Sequence, residues 1–253
     1  MSALIFDNLT AGYGGKPVIT SLSASAQPGK FIAVLGRNGC GKSTLLKTLA
    51  GVIPAQSGFV KLGDKPTSRF TRRELARQIA YLSQTRDMIW PLTVRDIIAL
   101  GRAPYRGPLG KISTAGEAKI DAVILQLGLR DFSSRSVLQL SGGEQARVLL
   151  ARVLAVNAQV LLADEPFASL DPAAQIELTE VLKNEARSGK TVIAAMHDLA
   201  IAYHYADEVW LMGHGAFIAK GRPEDVMTDI YLREAFGIRT PEGGFTLPRI
   251  ANV

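Results

Sequence analysis

A buried-strand run, Phe31-Ile-Ala-Val-Leu35, passes directly into Gly36-Arg-Asn-Gly-Cys-Gly-Lys-Ser-Thr44 and then into a helical stretch, Leu45-Leu-Lys-Thr-Leu-Ala50, that stops near Gly51. This is the strand, G-x-x-x-x-G-K-[ST] loop and helix of a phosphate cradle. The glycines let backbone N–H groups turn inward around an anion, and the helix N-terminus adds partial positive charge. The whole loop is therefore a candidate nucleotide-binding segment: Gly36, Arg37, Asn38, Gly39, Cys40, Gly41, Lys42, Ser43 and Thr44. Lys42 is expected to reach the β- and γ-phosphates, and the Ser43 hydroxyl to bind Mg²⁺. The rival dinucleotide pattern, G-x-G-x-x-G, has the wrong spacing. From average composition a chance match in such a chain is about one in a hundred.

Around the cradle, short apolar runs alternate with helical patterns, which predicts an α/β core with a mostly parallel sheet. The candidate strands are Leu4–Asn8, Val18–Ala26, Phe31–Leu35, Gly58–Leu62, Ile79–Ser83, Val160–Ala163, Thr191–Met196, Val209–Met212 and Ala216–Ala219. The first two alternate with period two and have no helix between them, so they predict an N-terminal antiparallel β region. Between Ile79–Ser83 and Val160–Ala163 the strand signal disappears. That interval reads as helices over Thr93–Leu100, Ala115–Leu127 and Gly142–Val156. The expected organisation is one domain, with a core of 1–84 and 159–253 and an all-helical subdomain of 85–158. No internal repeat or linker is visible. A length of 253 residues suits this, and one cysteine excludes an internal disulfide. No signal peptide is visible, and no run reaches the ~20 apolar residues of a membrane span.

The net charge of +6 is unevenly spread: residues 61–111 hold 11 of the 29 basic and only 4 of the 23 acidic side chains. Arg69, Arg72, Arg73, Arg77, Arg86, Arg95, Arg102 and Arg106 lie there. A solvated face is one reading, and a surface turned toward anionic lipid is the other. Aromatic residues are not interleaved as a base-stacking platform requires, so no nucleic-acid partner is expected.

Two further segments carry chemistry. Val160-Leu-Leu-Ala163 runs into Asp164-Glu165, which puts acids at the carboxyl end of a strand, where α/β sheets bind ligands. Asp164 is expected to hold Mg²⁺ through its water shell, and Glu165 to accept a proton from attacking water. Leu140-Ser-Gly-Gly-Glu-Gln145 opens the Gly142–Val156 helix. Ser141 and Glu144 make a capping box, but a box does not explain two glycines, which weaken a helix. Gly142 and Gly143 there allow another group to come close to the helix N-terminus.

With these motifs in this order, the sequence resembles the ATP-binding-cassette family, whose signature is LSGGQ; here Glu144 stands in the place of the usual Gln. The resemblance covers nearly the whole chain. It implies ATP and Mg²⁺ as cofactors and ATP hydrolysis as the activity. It also implies that Tyr13 stacks on adenine, that Gln84 contacts Mg²⁺ and water, that Asp171 lies in the D-loop Ser169-Leu-Asp171, and that His197 sits near the γ-phosphate. The catalytic set is then Glu165, His197, Gln84 and Lys42, with Ser43, Gln84 and Asp164 toward the metal. In the family the signature of one subunit covers the nucleotide of another, so Ser141, Gly142 and Gly143 are expected to act across a homodimer or paired ATPase subunit. Leu100-Gly-Arg-Ala-Pro-Tyr105 is similar to a run in importers of iron–siderophore, haem and cobalamin. That likeness implies integral-membrane permease partners meeting the helical subdomain, a periplasmic or surface binding protein further off, and a peripheral place on the cytoplasmic face of the inner membrane. The alternatives are an importer of zinc, molybdate or amino acids, or a ribosome- or nucleic-acid-acting ATPase.

Overall fold

The computed structural model describes residues 3–84, 91–107, 110–167 and 170–247. β1 (Leu4–Tyr13) and β2 (Lys16–Ala26) form a hairpin that turns at Gly14 and Gly15, both at positive φ. β3 (Phe31–Leu35) leaves this hairpin for a second sheet and is followed by α1 (Lys42–Leu49). β4 (Ser57–Leu62) returns to pair antiparallel with β1, and the short β5 (Lys65–Pro66) edges it, giving the order β2-β1-β4-β5. The second sheet is ordered β10-β9-β3-β8-β7-β6, from β6 (Ile79–Leu82), β7 (Val160–Asp164), β8 (Thr191–Ala195), β9 (Glu208–Gly213) and β10 (Ala216–Gly221). Its strands run parallel except β10, which lies antiparallel at the edge. This is the α/β fold expected, with its N-terminal antiparallel sheet.

Every residue of β3, β7 and β8 is buried, as in parallel strands covered on both faces. Alternation along them feeds two cores. Phe31, Ala33, Leu35, Leu161 and Ala163 face the helices of the 94–187 region, whereas Ile32, Val34, Val160 and Leu162 face α1 and the antiparallel sheet. α2 (Arg72–Gln78) precedes β6; between β6 and β7 the described residues hold α3 (Val94–Leu100), α4 (Thr114–Gln126) and α5 (Gly142–Val156), which pack together. α6 (Pro172–Arg187) and α7 (Leu199–Tyr205) link the later strands, and α8 (Pro223–Val226) and α9 (Asp229–Phe236) follow β10.

Among the elements that differ from the sequence expectation, three bear on the argument. β1 runs on to Tyr13, and α1 begins at Lys42 rather than Leu45, because Lys42, Ser43 and Thr44 form its first turn. α2 has no buried residue, so no apolar periodicity announces it; Thr71 and Glu74 start it with a capping box.

Part of the basic stretch is spent on packing within the protein, while Lys65, Arg69, Arg72, Arg73 and Lys111 stay exposed. Arg73 Nε and Arg77 Nε both donate to the Pro104 carbonyl at 2.9 Å. Arg102 is buried and donates to the Ala155 and Val156 carbonyls at 2.7 and 3.2 Å, closing the C-terminus of α5. The guanidiniums of Arg77 and Arg102 lie 5.1 and 3.9 Å from the Tyr105 ring centre. Arg95 pairs with Glu117 at 2.7 Å and Asp121 at 2.6 Å. Gly101 completes the joint, because a Cβ there would lie 2.1 Å from the Arg152 carbonyl. Arg86 lies outside the described residues.

Candidate active site

β3 and β7 deliver the chemistry from the same end of the sheet, separated only by β8. After β3 the chain turns through Gly36 and Gly41, with φ of 151° and 108°. A Cβ would lie 2.5 Å from the Met212 carbonyl at Gly36, and 2.6 Å from Ile19 Cγ2 at Gly41. At these two positions there is room for backbone alone. It folds over Lys42, which is 4% exposed and donates Nζ to the Gly36 and Arg37 carbonyls at 2.9 and 3.3 Å. Cys40 is buried, and burial pushes its thiol up against the opposing pull of Lys42, so the thiol stays protonated and inert.

At the end of β7 the two acids diverge. Asp164 is 1% exposed; it accepts from Ser43 Oγ at 2.9 Å and from the Tyr81 hydroxyl at 3.0 Å. Burial, reinforced by Asp164, pushes the Tyr81 hydroxyl far above its ordinary value and keeps it a donor. Glu165 holds φ at 49°, uncommon for a side chain of its kind, with its N–H donating to the Ala195 carbonyl at 3.1 Å. That turn sends its carboxylate the other way. Gln84 Nε2 donates to Oε2 at 2.5 Å, His197 Nε2 lies 2.6 Å from Oε1, and Lys42 Nζ lies 3.9 Å from Oε1.

A cavity of ≈ 330 Å³ opens over these groups, lined by Val18, Asn38, Gly39, Gly41, Lys42, Ser43, Thr44, Gln84 and Glu165. Its dimensions and donors suit a nucleotide's phosphates. For Mg²⁺ the donor set is Ser43 Oγ, the Asp164 carboxylate and the Gln84 amide oxygen, hard oxygens of the kind that ion takes. Among the described residues no cluster of three His, Cys, Asp or Glu side chains could hold a metal by itself. The fit is to an ion that keeps waters and shares phosphate oxygens, rather than to a caged one.

The structure thus brings Lys42, Ser43, Gln84, Asp164, Glu165 and His197 together. Other expected site residues lie apart from the cavity lining. Tyr13 ends β1, half exposed. Asp171 caps α6, its Oδ1 accepting from the Ala174 N–H at 2.9 Å; Ser169 lies outside the described residues. Ser141 caps α5, with its N–H bonded to Glu144 Oε2 at 2.7 Å, and that bond holds the Glu144 carboxyl below the usual range. Gly142 and Gly143 follow: a Cβ on either would meet nothing within 4 Å among the described residues. Tyr81 escaped the sequence reading, although a polar aromatic in a buried strand three residues before Gln84 was a signal available to it.

Residues 19–168 match the family model described as ABC transporter. The chain is 39% identical over 223 residues, 88% of this chain and 79% of the relative, to the hemin import ATP-binding protein HmuV of Streptomyces coelicolor. It is 35% identical over 239 residues, 94% of this chain and 89% of the relative, to the achromobactin transport ATP-binding protein CbrD of Dickeya dadantii. Among solved structures, a metal-chelate type ABC transporter in an inward-facing conformation superposes with a TM-score of 0.82 at 26% identity, over 94% of this chain and 90% of that one.

Proposed function

The chain belongs to the ABC transporter family as one of its ATPases, and from that premise we infer that it powers uptake of a metal chelate through partner permeases in a bacterial membrane. The chelate is of the iron–siderophore, haem or cobalamin class, in keeping with the hemin and achromobactin relatives and the metal-chelate type structure. A binding protein outside the membrane delivers it. The ATPase works at the cytoplasmic face; among the described residues no helix is long and apolar enough to cross a membrane.

The observation that carries this reading is a divided site. One half, from Lys42 to His197, is assembled within the chain and set up for hydrolysis. Glu165 takes a proton from the water that attacks the γ-phosphorus, Gln84 and His197 hold its carboxylate, and the bond to the β-phosphate oxygen breaks to leave ADP and phosphate. Lys42 balances charge on the phosphates. Mg²⁺, when bound at Ser43 and Asp164, neutralises phosphate oxygens. The other half, the bare glycine pair at the head of α5, has no close neighbour among the described residues. It fits a γ-phosphate held by a second copy, in a head-to-tail pair enclosing two nucleotides, with Tyr13 stacked on adenine and Asp171 at the seam.

A groove of ≈ 500 Å³ between α2, the end of α3 and α5 supports the permease partner. Leu75, Leu100, Pro104 and Val153 make it apolar, Arg72 and Arg152 make it cationic, and among the described residues no acid lines it. Burial alone lowers the Arg152 pKa, so a carboxylate arriving on an amphipathic helix would be welcome there.

The experiment is to tag the chain, solubilise native membranes and identify what co-purifies. A polytopic permease of the metal-chelate class is expected. A zinc, molybdate or amino-acid permease would replace the cargo and keep the importer; nucleic acid or ribosomal proteins without a permease would overturn the importer reading.

A further inference from the structure

The loops that lead into α5 and α6 share one construction. In the first, the Leu140 N–H donates to the Val137 carbonyl at 3.2 Å, Ser141 caps the helix, and the Gln145 N–H donates to the Ser141 carbonyl at 2.9 Å. In the second, Leu170 donates to Phe167 at 3.2 Å, Asp171 caps the helix, and Gln175 donates to Asp171 at 3.0 Å. The two caps have nearly the same backbone angles, φ −63° and ψ 161° at Ser141, φ −65° and ψ 157° at Asp171. In each, a glutamine one turn into the helix reaches back over the loop. Gln145 Nε2 donates to the Val137 and Leu140 carbonyls at 3.3 and 3.2 Å, and Gln175 Nε2 to the Phe167 and Leu170 carbonyls at 3.3 and 3.1 Å. The shared pattern, apolar-x-x-Leu-[Ser/Asp]-x-x-x-Gln, occupies 137–145 and 167–175 and is too short to register as an internal repeat.

A carboxamide carries two N–H donors, and here each carbonyl receives one. No other uncharged side chain of this length can donate twice. The glutamine therefore fastens its loop, and the direction its cap faces, to the helix behind it. Gln175 and Phe167 also line the hollow beside Glu165 and His197, which ties the second loop to the acid that takes the proton. Ordering a contact segment before association removes part of the entropy lost on closure.

We propose that Gln145 and Gln175 are positioning residues for the shared nucleotide site. Each holds one segment, the turn carrying Ser141 or the loop carrying Asp171, in the geometry that a second copy of this chain must meet. This rests on the head-to-tail reading above.

The test uses the full chain carrying Glu165→Gln and follows dimerisation driven by Mg·ATP in the ultracentrifuge, with and without Gln145→Leu or Gln175→Leu. Each glutamine variant should weaken the dimer about tenfold, and in the Glu165 parent lower kcat about tenfold with KM for ATP little changed, the worth of one or two neutral hydrogen bonds. Dimerisation and kcat within about twofold of the parent for both variants would overturn the positioning role. If the Glu165→Gln parent itself stays monomeric with ATP, the head-to-tail reading fails, and the positioning role falls with it. Gln145→Glu and Gln175→Glu guard against a folding defect. At about pH 8 a carboxylate faces two carbonyl oxygens and should behave as the leucine does. At about pH 6 the acid, its pKa raised by those oxygens, protonates in part and donates one bond. The ratio of variant to native kcat should then rise on acidification, and a flat ratio with unchanged thermal stability overturns the proposal.

Discussion

Two helices of this chain begin behind glycines, and they use them in opposite ways. At the head of α1 the glycines are forced from within: Gly36 and Gly41 leave no space for a Cβ between strand, loop and neighbouring carbonyls. At the head of α5, Gly142 and Gly143 meet nothing. The first loop is shaped by its own protein and is finished when the chain has folded. The second gives up helix stability, and under the proposed head-to-tail pairing it does so for contacts with a second copy. A glycine pair inside a helix, with neither a positive φ nor a close neighbour to require it, points to something from outside.

The sharpest break in that comparison is chemical. Glu165→Gln should leave Mg·ATP binding intact and lower turnover about 10²- to 10⁴-fold, the usual worth of a general base; native hydrolysis in that variant would remove Glu165 from the role. Lys42→Ala comes next. It should weaken nucleotide binding about ten- to a hundredfold, measured by titration, through lost charge-assisted bonds to phosphate. Unchanged affinity would count against the cradle. Gly143→Ala sharpens the contrast, because its two effects have opposite signs. Thermal stability should hold or rise, by up to about 1 kcal/mol, since alanine suits a helix better. Turnover should nonetheless fall about tenfold, as a methyl group meets the closing surface at a cost of about 1–3 kcal/mol. A stable variant with native turnover would mean that nothing closes on α5.

The smallest effect probes how the finished half is anchored. Asp207 receives the Phe31 N–H at 2.8 Å and Lys183 Nζ at 2.8 Å, which fixes the start of β3. Burial raises its pKa, but those two donors outweigh burial and the net value is lowered from 3.8. A depressed carboxylate stabilises above its unfolded pKa and loses that contribution as pH falls through its folded pKa. Asp207→Asn should therefore cost about 1 kcal/mol near pH 7 in denaturant melts, with the gap narrowing below pH 4. A gap that is constant with pH would show packing, not charge, at work.

The sheet was legible because its strands are buried on both faces and read as unbroken apolar runs, as Phe31–Leu35 does. α2 was not, since every residue in it is at least partly exposed and its only mark is the Thr71–Glu74 box. The groups gathered at Glu165 were legible as motifs in order, Gln84, Glu165 and His197 just after strands and Lys42 and Ser43 at the head of α1. Tyr81 was hidden by being part of the strand itself, and Gln145 and Gln175 by bonding backbone carbonyls, which have no sequence identity. The basic stretch was legible only as a sum for a related reason: composition counts guanidiniums but not the Pro104, Ala155 and Val156 carbonyls that engage Arg73, Arg77 and Arg102.

α5 runs 15 residues, about 22 Å, without proline, and its only glycines are the first two. Arg102 clamps one end of it at the wall of the cationic groove, and the Ser141 cap forms the other. Such a helix has no joint along which displacement could dissipate. As a rod, it would carry a shift of the groove wall, imposed by the proposed partner, along its length to the glycine pair, and closure on a nucleotide would be felt at the groove.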